Sequence, residues 1–284
     1  MYKRQGHSGA EIHLHRANAN VLVARLLAAV AEHSEMCLVS WNGGSKHNAI
    51  TREASAVFAV KRSNLIKVRD VLETERKAIL KYYSQRVENR PLEPDIRITV
   101  TETEAAPCLA PTVTEEIVAT LSAIPHGPRT FSPQIPSLVE TSCNLAVVRT
   151  ASDELHVAIS ARSSVDAELE AFRRAHANIG RLGGWEVKVG KAYPGWTPDP
   201  DSPLLQYVRT KYEEALGHEV RVEAVHAGLE CGIIGARIPG IQMVSVGPTI
   251  RNPHTPDERV RIKDVEVFYS FIKTLLRDIT QMPT

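Results

Sequence analysis

The residue types best suited to chemistry gather in VHAGLECGIIGARIPGIQMVSVGPTIRNPHTPDERV, residues 225–260. His226 and Glu230 stand four apart, so on a helical turn they share a face. His254 follows in a Gly-Pro-Thr…Pro-His-Thr-Pro loop that regular structure does not accommodate. It comes just past an apolar run over 241–246, read as a strand, where α/β proteins place functional groups. All three residues are zinc-ligand types, and a catalytic zinc keeps one coordination position open. Glu230 could equally favour the start of a helix near Gly228, and a lone loop histidine is ordinarily a surface group. Spacing alone points to a hydrolytic metal or substrate site.

Other chemistries find no support. Gly6-His7-Ser8-Gly9 tempts toward a serine nucleophile, but the elbow motif GxSxG needs its closing glycine one residue later. No GxxxxGK[ST], GxGxxG or HExxH occurs in the chain. A formal net charge of +1 gives no electrostatic case for nucleic acid or an anionic membrane. Cys37, Cys108, Cys143 and Cys231 are far apart, with no CxxC pair, so reduced and mostly buried thiols in a cytoplasm are expected. The most apolar run, 21–31, contains Arg25 and is too short for a membrane span. The opening MYKRQGHSG lacks a signal-peptide core, so export is not expected.

The elements that must position these groups belong to one large or two ordinary domains, with 284 residues, 43% apolar and 24% charged. From Arg16 the pattern is helical, with Ala17, Val21, Ala24, Leu27, Ala28 and Ala31 on one stripe. Strands are predicted over 36–41, before a turn at Asn42-Gly43-Gly44, and over 54–60. A charged helix follows over 64–85, with Glu73 and Lys77 suited to an exposed face. Residues 97–103 alternate as a half-buried antiparallel strand should. A short helix over 114–122 takes Thr114 as a candidate N-cap, and 125–136 reads as a proline-rich connector. A strand pair over 144–150 and 154–162 turns at Ser152-Asp153. A helix over 165–182 stops at Gly183-Gly184, and 186–189 reads as an edge strand.

This recurrence describes an α+β unit with antiparallel sheet, open to reading as an internal duplication. Residues 193–203, YPGWTPDPDSP, are dense in Pro, Gly and Asp and read as a domain crossing. Beyond them come a helix over 204–216 closed by Gly217, a strand over 220–224, and a final helix over 264–279 capped by Asp264. That helix has Val267, Phe271, Thr274 and Leu275 toward its core. The alternation resembles part of a parallel, doubly wound sheet.

HAGLECG (226–232) and VSVGPTIRNPHTPDERV (244–260) resemble the C-terminal signature of the aminoacyl-histidine dipeptidase family, or cytosol non-specific dipeptidases. That family belongs to the co-catalytic zinc peptidases, with carnosinases, carboxypeptidase G and aminoacylase. The resemblance extends through YPGWTPDPDSPLL, ISARSSVD, LVETSCNLAVV and GHSGAEIHLHRANAN, over essentially the whole chain. It implies an α/β enzyme in which a lid and dimerisation domain, here 1–191, is inserted into a zinc-binding catalytic domain. Residues 192–284 would be the closing portion of that catalytic domain.

By the same resemblance, His254 matches a metal ligand, and His7 matches the lid histidine that stabilises the tetrahedral oxyanion. Asn48 in HNAITRE and Gly228 match substrate contacts. Arg162 in ARSSVD matches the arginine that grips the substrate's terminal carboxylate, for which a guanidinium fork is the right chemistry. His226 and Glu230 then take supporting roles. The family's remaining metal ligands and general-base glutamate lie upstream of the lid and are not in this sequence. Gln5 stands where the family usually has a second glycine. The resemblance therefore implies a C-terminal fragment, homodimeric through its lid, that needs a missing N-terminal half and is inactive on dipeptides by itself. The rival expectation is a non-catalytic dimerisation or interaction module.

Overall fold

The computed structural model describes residues 7–9, 11–87, 90–93, 95–152, 154–224, 230–251 and 258–281. Contacts divide the chain into two units, Met1–Ala192 and Tyr193–Thr284. Among the described residues no helix is long and apolar enough to cross a membrane.

In the first unit, helix α1 (Ala19–Ala31) begins where Asn18 takes an extended backbone. Its side chain accepts from the Asn20 and Val21 amides, satisfying donors that a helix start leaves open. This cap leaves Ala17 outside the helix, and the buried stripe is Ala24, Leu27 and Val30, with Ala31 exposed. Strand β1 (Met36–Gly43) continues through the expected turn, because Asn42 and Gly43 pair with β2 (Ala54–Val60) on one side and with Arg149 and Val148 on the other. Helix α2 (Leu65–Tyr83) carries the Glu73–Lys77 pair at 3.6 Å on its exposed face. A two-residue pair, β3 (Arg86–Val87) and β4 (Arg90–Pro91), follows.

Residues 97–103 form no strand: 99–110 are exposed throughout, so the alternation has no core to face. Helix α3 (Pro111–Ala123) starts at a proline, whose fixed φ suits the first helical position. Thr114 is not its cap. Buried one turn in, its Oγ1 accepts from the Leu38 amide at 2.8 Å and satisfies β1 instead. The proline-rich connector contains a strand, β5 (Gly127–Phe131), recruited by pairing with β6 (Val139–Ala151). β6 also pairs with β7 (Glu154–Ser163), and the antiparallel sheet runs β2-β1-β6-β5 with β7 on β6. Ser152 turns β6 into β7 at φ 48°, and Asp153 lies outside the described residues. Helix α4 (Asp166–Leu182) ends at Gly183, and Gly184 follows with φ +75°. Residues 186–189 find no strand partner among the described residues and are exposed except for the half-buried Val187.

Helices α1, α2 and α3 pack on the sheet around Leu27, Val30, Leu38, Trp41, Leu121, Leu145 and Val148. Each such side chain, fully buried, contributes roughly 1.5–3 kcal/mol.

The second unit departs further from expectation. Helix α5 (Pro203–Leu216) is capped by Ser202 Oγ and stopped by Gly217 at φ +72°. Helix α6 spans Glu230–Arg237 and helix α7 spans Ile262–Asp278. Residues 220–224 and 241–246 make no strand ladder among the described residues. Val244 and Val246 instead pack against Val208, Phe271 and Leu275 of α5 and α7, so their apolar surface is buried by helices. Among the described residues of this unit the one ladder is β8 (Ile250–Arg251) with β9 (Arg259–Val260), antiparallel, and no parallel ladder forms. Asp264 does not cap α7. It lies inside the first turn, accepts from the Thr249 amide at 3.4 Å and pairs with Arg261 at 3.2 Å. Phe271 and Leu275 are buried, whereas Val267 and Thr274 are exposed.

All four cysteines are free, but Cys143 alone is buried; Cys37 and Cys231 are half-buried and Cys108 is exposed.

Candidate functional site

Three of the sequence-predicted residues lie in the first unit, and hydrogen bonds link their neighbourhoods. His7 forms an isolated antiparallel bridge with Ala49. The next residue, Ser8, donates its amide to the Asn48 carbonyl at 3.0 Å. Asn144 on β6 then donates Nδ2 to the Ala49 carbonyl at 2.8 Å. On β7, Arg162 is the register partner of Ser142, and Ser160 is that of Asn144. The two-residue period of a strand therefore puts Arg162 and Asn144 on one face of the sheet. The fold thus connects the His7 and Asn48 segment to the face that carries Arg162.

The segment bearing His7 is held from several sides. Glu11 Oε2 accepts from the His7 amide and Oε1 from Arg16 Nη2, both at 2.9 Å. The Gly9 amide donates to His7 Nδ1 at 3.2 Å. With Nδ1 accepting, the neutral ring carries its proton on Nε2, the tautomer able to donate to an oxyanion. Residues 48–51 are anchored at their far end by Thr51, whose carbonyl accepts from the Ala19 amide at 2.8 Å and whose Oγ1 donates to Ala146 at 2.7 Å.

Arg162 is half-buried, and among the described residues its buried Nε has no hydrogen-bond partner. Burial lowers its pKa from the ordinary arginine value, which means the charge is imperfectly solvated. Ser8 Oγ is likewise buried without a partner among the described residues. A carboxylate at Arg162 would satisfy the guanidinium with charge-assisted hydrogen bonds.

Sequence reasoning missed the polar groups that support this face. Asn18 Nδ2 reaches Asn144 Oδ1 at 3.1 Å, the Leu145 carbonyl at 3.0 Å and His126 Nδ1 at 3.4 Å. Because Asn18 Oδ1 already accepts two amides, its Nδ2 is the donor and His126 Nδ1 the acceptor. Burial depresses the His126 pKa to about 4, so the ring is neutral near pH 7. The available signal was Asn144 itself, an amide inside the otherwise apolar run NLAVV.

Cys143 points from the opposite face of β6, with Sγ 3.0 Å from His176 Nε2. This is no nucleophile and base pair. Burial pushes the Cys143 thiol up to about 12, which keeps it protonated, and His176 Nδ1 lies 2.8 Å from the Phe172 carbonyl.

The zinc-ligand types fare differently. Among the described residues no three His, Cys, Asp or Glu side chains come together as metal ligands would. The described residues therefore do not make a zinc shell. His226, Gly228 and His254 lie outside them. Glu230 is exposed and opens α6, where its carboxylate faces the positive end of the helix dipole.

Residues 15–278 match the peptidase family M20/M25/M40, and the chain belongs to that family. It is similar to the cytosol non-specific dipeptidase of Escherichia coli (strain K12), 34% identical over 274 residues, which are 96% of this chain and 56% of that protein. It is also similar to the crystal structure of aminoacylhistidine dipeptidase from Vibrio alginolyticus. There the TM-score is 0.84 at 33% identity, over 99% of this chain and 56% of that one. The chain spans about half the length of these relatives.

Proposed function

We propose that this chain supplies the substrate-gripping groups of a zinc-dependent dipeptidase acting on Xaa-His and other dipeptides. The observation that carries the reading is Arg162, a half-buried guanidinium whose Nε has no partner among the described residues, on the sheet face tied through Asn144 to the His7 and Asn48 segment. Arg162 binds the terminal carboxylate of the dipeptide. Asn48 contacts the substrate, and His7, protonated at Nε2, donates to the oxygen that becomes negative as the carbonyl is attacked. Gly228 offers a backbone contact. Zinc enters as the family's metal, with His254 as the residue of this chain that would ligate it.

In this reading residues 1–191 form the lid and 192–284 the closing portion of the catalytic domain. Strand β7 pairs only with β6 among the described strands, and an edge of that kind suits pairing with a second copy in a homodimer. A cytoplasmic setting, where thiols stay reduced, belongs to the same reading.

Calorimetric titration tests it with a His-ended dipeptide and the same dipeptide amidated at its carboxyl end. The free carboxylate is expected to bind at least about tenfold tighter, a difference of about 1.4 kcal/mol. Arg162→Met should erase that preference while circular dichroism stays unchanged. Equal affinity for the two ligands, or no binding of either, would overturn the proposal.

A further inference from the structure

Cys37 and Cys108 stand together at the surface of the first unit, and the dipeptidase reading uses neither. Cys37 lies on β1 between Met36 and Leu38, both buried in the core. The strand period therefore sends its side chain to the opposite face, where it is half-buried. Cys108 is exposed, in the exposed segment that leads into α3. One residue beyond each cysteine, the Leu109 amide donates to the Leu38 carbonyl at 2.8 Å. That bond brings the two stretches side by side, each cysteine one residue before a bonded partner. A disulfide spans Cα atoms roughly 4.4–6.8 Å apart. After its own burial, the Cys108 side chain is the neighbour that acts most on the Cys37 thiol.

We propose that Cys37 and Cys108 form a reversible disulfide when the chain meets a peroxide. Access decides which sulfur reacts first, and Cys108 is the exposed one. Its thiolate attacks the peroxide oxygen: an S–O bond forms, the O–O bond breaks, and the departing hydroxide is protonated to water. Cys108 is then a sulfenic acid. The Cys37 sulfur attacks the Cys108 sulfur, the S–S bond forms, and the S–O bond breaks. The leaving hydroxide takes the Cys37 proton as a second water. Two thiols are oxidised and one hydrogen peroxide is reduced to two waters. Desolvation, the Cys108 thiol and Glu35 favour the protonated form of Cys37, against Lys61, which pairs with Glu35 at 2.8 Å. Cys37, the half-buried sulfur, takes the second, intramolecular step because its partner is already beside it.

The disulfide would fasten the exposed 99–110 segment to β1, a change that a dithiol reductant reverses. The test is dilute treatment of the 284-residue chain with hydrogen peroxide, followed by non-reducing peptide mapping by mass spectrometry. The expected product joins the Cys37 and Cys108 peptides, lighter by two hydrogens, and is lost on adding dithiothreitol. In Cys37→Ser, Cys108 should instead accumulate as a sulfenic acid trapped by dimedone. Three results would overturn the proposal: Cys108 carried to sulfinic acid with Cys37 still a thiol, Cys108 bridged to Cys231 or to another chain, or both thiols still alkylated by a maleimide after treatment.

Discussion

Asn144 Nδ2 donates to the Ala49 carbonyl at 2.8 Å, and this bond ties the longest strand of the sheet to the segment bearing Asn48. Both residues are buried, so neither partner is replaceable by water. Asn144→Ala leaves the Ala49 carbonyl without that donor and should destabilise the fold by about 1–3 kcal/mol. Asn144→Asp should be worse, because a carboxylate cannot donate and would oppose the carbonyl. Urea unfolding of the three proteins checks the order, and equal midpoints for all would show that the bond carries no stability.

His126 makes a prediction about pH. Its folded pKa is depressed from 6.5 to about 4 by burial. Between those values the unfolded chain binds the proton and the folded chain does not, so stability falls as pH drops from about 6.5 toward 4 and levels off below. The loss from this group alone is about 3 kcal/mol at most. His176, also depressed chiefly by burial, acts with the same sign. His126→Asn keeps an acceptor toward Asn18 without the titration, so its melting temperature should fall less over that interval. An unchanged pH slope in the variant would remove His126 as the cause.

Gly44 combines two constraints at the end of β1. Its φ is +78°, and a Cβ there would lie 1.9 Å from the Ala146 carbonyl oxygen, with Thr51 Oγ1 at 2.9 Å. The nearest obstacle is backbone, which cannot swing aside. Gly44→Ala should therefore destabilise by about 2–4 kcal/mol, combining left-handed strain with a displaced strand. Gly217→Ala is the control: its φ is +72° but nothing lies within 4 Å of the added Cβ. It should lose only about 1 kcal/mol. Equal losses, measured by thermal unfolding, would show that crowding at Ala146 contributes nothing.

Local rules reached the elements whose punctuation is local. Gly217 stops α5, Gly183-Gly184 close α4, and the turn at Ser152 joins β6 to β7 where a polar break interrupts two apolar runs. They failed where a distant partner decides. Pro128 and Phe131 read as connector, yet β6 offers a ladder that makes a strand of them. Residues 241–246 read as a strand, yet their valines are taken up by α5 and α7. The site divides in the same way. Motif resemblance selected His7, Asn48 and Arg162 one by one. Asn18 and His126 became visible only once the fold brought together groups more than a hundred residues apart in sequence.

Arg162 should trade stability for binding. With Nε buried and unpartnered among the described residues, its guanidinium is a liability until an anion arrives. Arg162→Met should therefore raise the unliganded melting point, by about 1 kcal/mol in stability, while abolishing carboxylate preference. Arg162→Lys keeps the positive charge but loses the planar fork. Its affinity for a free-carboxylate dipeptide should fall about 10- to 100-fold, roughly 1.4–2.8 kcal/mol. The pair of variants separates charge from geometry. If Arg162→Lys binds as tightly as the parent, the arginine supplies charge alone and the fork has no role. If Arg162→Met is less stable without ligand, Arg162 is a structural residue satisfied within the fold, and its assignment to the substrate carboxylate fails.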